Sequence, residues 1–315
     1  MSIQEMMEQV QSEVGKVVLG QQQVVAHMMT AVLAEGHVLL EGVPGVAKTL
    51  VSKALAKCIG GQFRRVQCTP DLMPADITGT SVFDMQERTF RLVRGPVFTN
   101  VLLVDEINRT PPKTQSALLQ AMQERAVTID GVDYPLEGLF FVAATQNPIE
   151  YEGTYPLPEA QLDRFLMKVN VGYPDAAQEQ AIVRLHLAGG DVQDLEASGV
   201  RTVLGEADLL AAGNELVRQT VRDEIVAYVV AIARRTRESP QTTLGASPRA
   251  AVHLTRCAQI AAAAEGRDFV TPDDVQAMVH PVIRHRIILR PEAETEGLTA
   301  ERLLDSVIAA VPVPR

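Results

Sequence analysis

The sequence has few aromatic residues and a deficit of positive charge. Its 315 residues include 8 phenylalanines, 5 tyrosines and no tryptophan, so aliphatic side chains must fill the interior. Aromatic platforms for stacking nucleobases are therefore not expected. The 29 lysines and arginines are outnumbered by 39 aspartates and glutamates, which gives a formal net charge of −10. This balance argues against a protein whose main task is to grip nucleic-acid phosphates, because such binding needs a basic face.

Cysteine and long hydrophobic runs are also scarce. The three cysteines, Cys58, Cys68 and Cys257, are odd in number and lie in no C-x-x-C arrangement, so we expect neither a disulfide framework nor a zinc site. No apolar run approaches the roughly 18 residues of a membrane-spanning helix, and the polar N-terminus is unlike a signal peptide. These absences predict a reduced, soluble, cytoplasmic protein without a membrane span.

The hydrophobic pattern divides the chain into two parts. Residues 1–35 show helical spacing that breaks at Gly20, and the following part alternates short apolar runs with helical stretches. Such alternation is typical of a parallel sheet covered on both faces. The strand candidates are HVLLEG, VLLVDE, FFVAAT and FLMKVNVGYP, and VTIDGVDYPL predicts a hairpin around Asp130-Gly131.

Beyond Pro174 the pattern predicts helices and no further strand. The expected helices cover residues 176–188, 206–219, 222–236, 248–265, 272–284 and 299–310. Together the two patterns predict an α/β domain over residues 1–190 and an all-helical domain over residues 191–315.

One segment, GVPGVAKT, matches the phosphate-binding pattern G-x-x-x-x-G-K-[ST] except that Ala47 replaces the last glycine. In such a loop the backbone N–H groups and the following helix surround a β-phosphate, Lys48 reaches the β- and γ-oxygens, and Thr49 offers its hydroxyl to Mg²⁺. Alanine is tolerated at position 47 if its φ is negative. The alternative is a Gly/Pro loop with a solvated lysine, but a strand before and a helix after favour the phosphate loop. The predicted nucleotide contacts in this segment are Gly42, Val43, Pro44, Gly45, Val46, Ala47, Lys48, Thr49 and Leu50.

Two carboxylates end the strand VLLVDE. Acids at the end of a buried strand are unfavourable unless a cation or a substrate neutralises them. Beside a phosphate loop, Asp105 can hold the metal ion through water, and Glu106 can polarise the attacking water. The alternative is a strand that simply ends in surface acids, which is a common arrangement. The phosphate loop in the same chain argues against it.

Five segments in order resemble the MoxR family of AAA+ ATPases: EGVPGVAKT, VLLVDEINR, ATQNP, LPEAQLDRF and GASPRA. The resemblance runs from about Val17 to beyond Arg286. It implies a P-loop NTPase (AAA+) fold, with a parallel sheet flanked by helices and a smaller all-α lid domain. It also implies an ATPase that uses ATP and Mg²⁺ and yields ADP.

The resemblance assigns further roles by position. Asn147 matches the residue that senses the γ-phosphate and orients water, and a polar residue at a strand's carboxyl end agrees with ligand binding there. Arg164 matches the arginine finger donated to a neighbouring subunit, although Arg109 is an alternative. Arg249 matches the second sensor on the lid, where a γ-phosphate would offset the unfavourable helix dipole.

The resemblance also marks regions that contact other molecules. Leu19 and Gly20 match a stretch that flanks the adenine, although an apolar turn between helices explains them equally well. Residues 69–79 and 95–98 resemble the family's inserted hairpin region, and the hairpin at 129–134 resembles the one before the first sensor. Such insertions commonly touch substrate or partner.

The implied assembly is a homo-oligomeric ring, most simply a hexamer, with nucleotide between subunits. The family implies chaperone-like remodelling or maturation of protein complexes with von Willebrand A domain partners. One alternative is a nucleic-acid-acting or chelatase-like AAA+ motor. The negative net charge and the scarcity of aromatic residues argue against the nucleic-acid version. Another is a nucleotide-gated scaffold that does not hydrolyse ATP, against which the intact Glu106 argues.

Overall fold

The computed structural model describes residues 1–148, 153–187 and 194–314. Its helices are, in chain order, α1 (Ile3–Val14), α2 (Gln22–Leu33), α3 (Lys48–Cys58), α4 (Pro74–Thr78), α5 (Pro112–Glu124), α6 (Glu159–Leu162), α7 (Ala176–Leu187), α8 (Glu206–Arg218), α9 (Asp223–Glu238), α10 (Pro248–Ala264), α11 (Pro272–Ile283), α12 (Pro291–Thr295) and α13 (Ala300–Ala310). Its strands are β1 (Val38–Glu41), β2 (Phe63–Gln67), β3 (Gly79–Asp84), β4 (Thr89–Arg94), β5 (Val101–Asp105), β6 (Ala126–Ile129), β7 (Val132–Pro135), β8 (Phe141–Gln146), β9 (Met167–Asn170), β10 (Thr242–Leu244) and β11 (Ile288–Leu289).

A five-stranded parallel sheet forms the centre of the first part, in the order β2-β5-β8-β1-β9. Successive residues of a strand face opposite sides, so the two faces of the sheet carry two apolar cores. Leu39 packs into the core that contains α5, whereas Leu40 packs into the core that contains α1 and α2. The predicted parallel sheet flanked by helices is confirmed.

The sequence did not reveal strand β2. Its residues, FRRVQ, include two arginines and a glutamine, and β2 forms an edge of the sheet beside β5. An edge strand can be largely polar because one of its sides faces solvent. Its register nevertheless places Gln67 opposite Asp105, at the carboxyl ends of both strands.

Two antiparallel hairpins project from the sheet domain. The predicted hairpin is confirmed as β6–β7, with positive φ at Asp130 and Gly131 of 50° and 79°, as a tight hairpin turn requires. The other, β3–β4, lies between the segments 69–79 and 95–98, which resemble an insertion, and shares only Gly79 with the first of them. Its Phe83 and Phe90 rings meet edge-to-face at 5.2 Å and both are exposed.

The second part is helical, but the prediction that no strand follows Pro174 is wrong. Strands β10 and β11 form a two-stranded antiparallel sheet that links α9 to the turn after α11. Both strands are too short to show an alternating pattern, which is why periodicity did not predict them. The expected boundary at residues 190 and 191 lies outside the described residues, so the exact domain division stays a prediction.

Helices α1 and α2 join the two parts. A capping box at Ser2 begins α1, where its side chain accepts from the Glu5 N–H. The apolar faces of both helices enter one continuous core with Leu40, Phe141 and the lid residues Leu254 and Ile260. Among the described residues, no helix is long and apolar enough to cross a bilayer.

Candidate functional site

A cavity of about 470 Å³ opens at the carboxyl ends of the parallel strands, where ligands bind in open α/β sheets. Its volume lies within the usual range for small-molecule sites. The residues that line it are Val17, Val18, Leu19, Pro44, Gly45, Ala47, Lys48, Thr49, Leu50, Arg65, Gln67, Asp105, Glu106, Thr145, Asn147, Ile182, Leu185 and His186. The phosphate loop, the acid pair and Asn147 therefore meet in one place.

The loop between β1 and α3 turns through two left-handed residues. Gly45 has φ +88° and Ala47 has φ +62°. The expectation of a negative φ at Ala47 is therefore wrong: alanine occupies a left-handed position that glycine adopts without strain. Gly42 is needed for a different reason, because a Cβ there would lie 2.4 Å from the Val171 carbonyl oxygen.

The polar side chains of the loop line the cavity, and two of its valines pack into the protein. Lys48 begins α3, and its Nζ donates to the Gly42 carbonyl at 2.5 Å. Thr49 follows it on the cavity wall. Val43 and Val46 pack against the apolar core and do not line the cavity.

Asp105 is nearly buried at the end of β5 and has two polar partners. The Arg65 Nε donates to its Oδ2 at 2.6 Å, and the Thr145 hydroxyl donates to its Oδ1 at 3.1 Å. The guanidinium offsets the electrostatic penalty of a nearly buried carboxylate. Asp105 thus stays in position at the cavity wall.

Glu106 has φ +57°, a strained backbone for a residue that is not glycine. Its backbone N–H donates to the Thr145 hydroxyl at 2.9 Å. Its Oε2 accepts from the Gln67 Nε2 at 3.0 Å and from the Arg109 Nη1 at 3.0 Å. These two donors set the direction of the carboxylate.

Arg164 and Arg249 do not line this cavity. Arg164 lies half-buried in the turn between α6 and β9. Arg249, in the first turn of α10, has its Nη1 3.9 Å from the Asp163 Oδ2 and a side chain that is 47% exposed. In this structure Asp163, from the sheet domain, supplies the negative charge that an arginine near a helix N-terminus needs.

One side of the cavity is apolar. Val17, Val18 and Leu19 come from the connection between α1 and α2, and Ile182 and Leu185 come from α7. Leu19 was predicted to flank a base. Gly20, predicted with it, has φ +80° and does not line the cavity, so its place in the turn is conformational.

The residues present fit a nucleoside triphosphate with Mg²⁺. The space beside Gly45 is open, because a Cβ there would meet no heavy atom within 4 Å. Lys48 and the start of α3 supply positive charge beside that space. The Thr49 hydroxyl and the Asp105 carboxylate are hard oxygen donors, and Mg²⁺ in phosphate sites needs few protein ligands.

Sequence reasoning missed the residues Arg65, Gln67 and Thr145. Arg65 and Gln67 belong to the unpredicted strand β2, and Thr145 was treated as part of an apolar run. The position of Thr145 at the carboxyl end of that run was the only local signal for it. The side chains that contact the acid pair become apparent only when β2, β5 and β8 lie side by side.

Comparisons with known proteins agree with this architecture. The sequence model of the ATPase family associated with various cellular activities (AAA) matches residues 37–167, and that of the AAA lid domain matches residues 234–307. The chain is 45% identical to the uncharacterized protein YeaC of Bacillus subtilis, over 96% of this chain and 92% of that protein. It is 42% identical to the chaperone MoxR1 of Mycobacterium tuberculosis, over 96% of this chain and 81% of that protein.

Two further matches extend over nearly the whole chain. The protein MoxR of Paracoccus denitrificans is 33% identical over 95% of this chain and 93% of its own length. A crystal structure of a protein from Cytophaga hutchinsonii superposes with a TM-score of 0.90 at 39% identity, covering 99% of this chain and 96% of that chain.

Proposed function

Because the chain belongs to the MoxR family of AAA+ ATPases, we propose that it binds ATP with Mg²⁺ and hydrolyses it at subunit interfaces. The energy of hydrolysis then drives remodelling or maturation of partner protein complexes. The observation that carries this proposal is the single cavity in which Lys48, Asp105 and Asn147 meet.

Binding follows from the shape and charge of the cavity. The phosphates lie against the loop from Gly42 to Thr49, where backbone N–H groups and Lys48 face negative charge. The adenine lies on the apolar side with Leu19. When bound, Mg²⁺ supplies positive charge to the phosphate oxygens, and Thr49 and Asp105 are the residues that hold it.

Hydrolysis needs a water molecule activated beside the γ-phosphate. Glu106 accepts a proton from that water, and Asn147 orients the water and contacts the phosphate. Thr145 supports both acids, since it hydrogen-bonds the Asp105 carboxylate and the Glu106 backbone. Gln67 and Arg109 fix the direction of the Glu106 carboxylate before nucleotide binds.

The site is completed by a neighbouring subunit. Arg164 lies outside the cavity of its own chain, which supports its donation to the next subunit's γ-phosphate. Arg109 is bound to Glu106 of its own chain, so it is the weaker candidate for the finger. Residues 1–190 then form the ATPase core, and residues 191–315 form the lid, whose Arg249 reaches the nucleotide when the lid closes.

The assembly we propose is a cytoplasmic homo-oligomeric ring, most simply a hexamer. Family membership and the relative named as a chaperone support a protein-remodelling role. A von Willebrand A domain partner is part of the proposal because the sequence resemblance implies it. The exposed aromatic pair on the β3–β4 hairpin is available for protein contacts. The net charge of −10 counts against a nucleic-acid substrate.

Phosphate release and nucleotide binding test the proposal together. We expect Lys48→Ala to lose hydrolysis and to weaken binding of a fluorescent ATP analogue, because the phosphates lose their cation. Glu106→Gln should bind the analogue and hydrolyse ATP at least about 10²-fold more slowly, since it loses its general base. Lys57→Ala is the matched control: Lys57 lies on the same helix but pairs with Glu196 outside the cavity, and this variant should behave as wild type.

Three results would contradict the proposal. Normal turnover in Lys48→Ala would remove the phosphate-loop assignment. Nucleotide binding without turnover in the wild type would favour the non-hydrolysing scaffold. Stimulation of the ATPase by DNA, lost steeply as salt increases, would favour a nucleic-acid motor.

A further inference from the structure

The turn that carries Arg164 is held by the lid. Asp163 ends α6, and Phe165 and Leu166 lead into β9, so Arg164 lies between a cap and a strand. Phe165 is fully buried, and the Leu166 N–H donates to the His37 carbonyl at 2.8 Å, which anchors the strand side of the turn.

Arg286 contacts both sides of this turn. It lies in a short 3₁₀ turn after α11, and its side chain is only 1% exposed. Its Nε donates to the Asp163 Oδ1 at 2.7 Å, and its Nη2 lies 3.2 Å from the Asp163 carbonyl oxygen. Beyond Arg164, it donates to the carbonyl oxygens of Phe165 at 2.6 Å and Leu166 at 3.2 Å.

Other lid residues reinforce the same contact. The Ser247 hydroxyl at the start of α10 lies 3.3 Å from both Asp163 carboxylate oxygens, and the His285 Nε2 donates to the Phe165 carbonyl at 3.1 Å. His253 accepts from the Arg286 Nη2 at 2.8 Å through Nδ1. Burial and the Arg286 guanidinium lower the pKa of His253 to about 4, so the ring is neutral and can accept.

A buried ion pair is weak evidence for stability alone, because apolar residues often stabilise as well. The pair instead fixes the orientation of the turn. The guanidinium is planar and its donors point in fixed directions, so only one orientation of the turn against the lid satisfies them. The lid contains a comparable pair, Arg267 with Asp274 at 2.6 Å, which lies away from the turn.

We propose that Arg286 and Asp163 are positioning residues through which the lid sets the direction of Arg164. This inference rests on the proposed function, in which Arg164 serves the neighbouring site. A change in lid position within one subunit then changes the direction of the Arg164 side chain that this subunit donates to the next. The two active sites are coupled without any contact between their nucleotides.

Mixed assemblies of two variant chains test this inference. A positioning role predicts that the same substitution lowers the rate more in the chain that donates Arg164 than in the chain that accepts it, whereas a purely structural role predicts no such difference. Acceptor chains carry Arg164→Ala and an intact site, and donor chains carry Lys48→Ala and an intact finger. Each is inactive alone, and their mixture should recover ATP hydrolysis. Arg286→Gln is then placed either in the donor or in the acceptor, and Arg286→Lys, which keeps the charge but not the planar fork, is tested in the same two arrangements.

We expect Arg286→Gln in the donor to reduce the recovered rate by at least about tenfold more than the same change in the acceptor, since a small displacement of a catalytic group suffices for such a loss. Arg286→Lys should show a smaller loss with the same preference for the donor. Arg267→Gln is the matched control in the donor and should leave recovery unchanged. Thermal unfolding of every variant accompanies the rates.

The outcomes separate the inference from its premise. Recovery in the parent mixture, with equal losses in donor and acceptor or with none in the donor, overturns the positioning role and leaves the trans finger standing. The absence of recovery in the parent mixture overturns the finger assignment and the inference with it. A loss confined to the donor supports both.

Discussion

At the scale of single residues, two residues of the candidate site have a strained backbone with positive φ. Ala47, at the start of α3, and Glu106, after β5, both line the cavity and both have left-handed backbones, with φ of 62° and 57°. Such conformations persist only when surrounding contacts hold them. For Glu106 the Thr145 hydroxyl is one such contact, at 2.9 Å from its N–H.

The strain at Ala47 gives a stability prediction. Ala47→Gly should raise the free energy of unfolding by up to about 1 kcal/mol, because glycine adopts positive φ without the Cβ clash, although it gains entropy when unfolded. Chemical denaturation measures the difference. As the matched control, Ala227→Gly in the exposed face of α9 should lower the same quantity by about 0.5–1 kcal/mol. Equal destabilisation by both changes would mean that Ala47 is not left-handed in solution.

At the scale of elements, the N-terminal helix α1 is tied to the segment 199–201, which precedes α8. Glu13, with a side chain only 5% exposed, accepts from the Lys16 Nζ at 2.5 Å and from the Arg201 N–H at 2.9 Å. The Lys16 Nζ also donates to the Gly199 carbonyl at 2.8 Å. One carboxylate thus joins a helix at the start of the chain to a segment some two-thirds of the way along it.

This contact predicts a pH dependence. Burial alone would raise the pKa of Glu13, but the hydrogen bonds from Lys16 and Arg201 lower it from 4.5 to about 2. A carboxylate whose pKa is lowered by folding stabilises the protein at any pH above its pKa in the unfolded chain. This contribution disappears as the pH falls from about 4.5 through 2. Glu13→Gln should therefore reduce the free energy of unfolding by about 1–3 kcal/mol at pH 7, and less with decreasing pH.

Denaturation of wild type and variant across this pH range checks the prediction. Glu8→Gln is the matched control, since Glu8 is exposed on the same helix and contacts only Gln4 in the hydrogen bonds described, at 3.0 Å. Its difference from wild type should stay small at every pH. A loss for Glu13→Gln that does not shrink in acid would show that its pKa is not lowered in the folded state.

At the scale of the whole molecule, the sheet domain and the lid share one core. Apolar residues run continuously from Leu40 through α1 and α2 to Leu254 and Val282 in the lid. Arg286 and Ser247 add polar contacts across the same junction. The sheet domain and the lid are therefore joined by both apolar and polar contacts within each chain.

The separation of Arg164 from its own cavity predicts that activity depends on assembly. The rate of phosphate release per chain should rise with protein concentration and then level off, because in the proposed assembly each site is completed by a neighbour's Arg164. Size-exclusion chromatography at the same concentrations should show that larger species form over the range in which the rate per chain rises. Lys48→Ala provides the background, and a rate per chain that does not change with concentration, in a protein that stays monomeric, would contradict the shared site.

Local sequence patterns were enough to predict the parallel sheet, the phosphate loop and the acid pair at a strand end, in their order along the chain. These depend on residues close together in the chain, where spacing and hydrophobic period carry the information. The same patterns did not predict the polar edge strand β2 or the short strands of the lid, because neither has a clear period.

The side chains that support those motifs could be identified only from the folded chain. Arg65 reaches Asp105 from a strand 40 positions away, and Arg286 reaches Asp163 across 123 positions. Such contacts depend on how strands and domains pack, and no local pattern encodes that packing. The left-handed backbone at Ala47 likewise differs from what its residue type led us to expect.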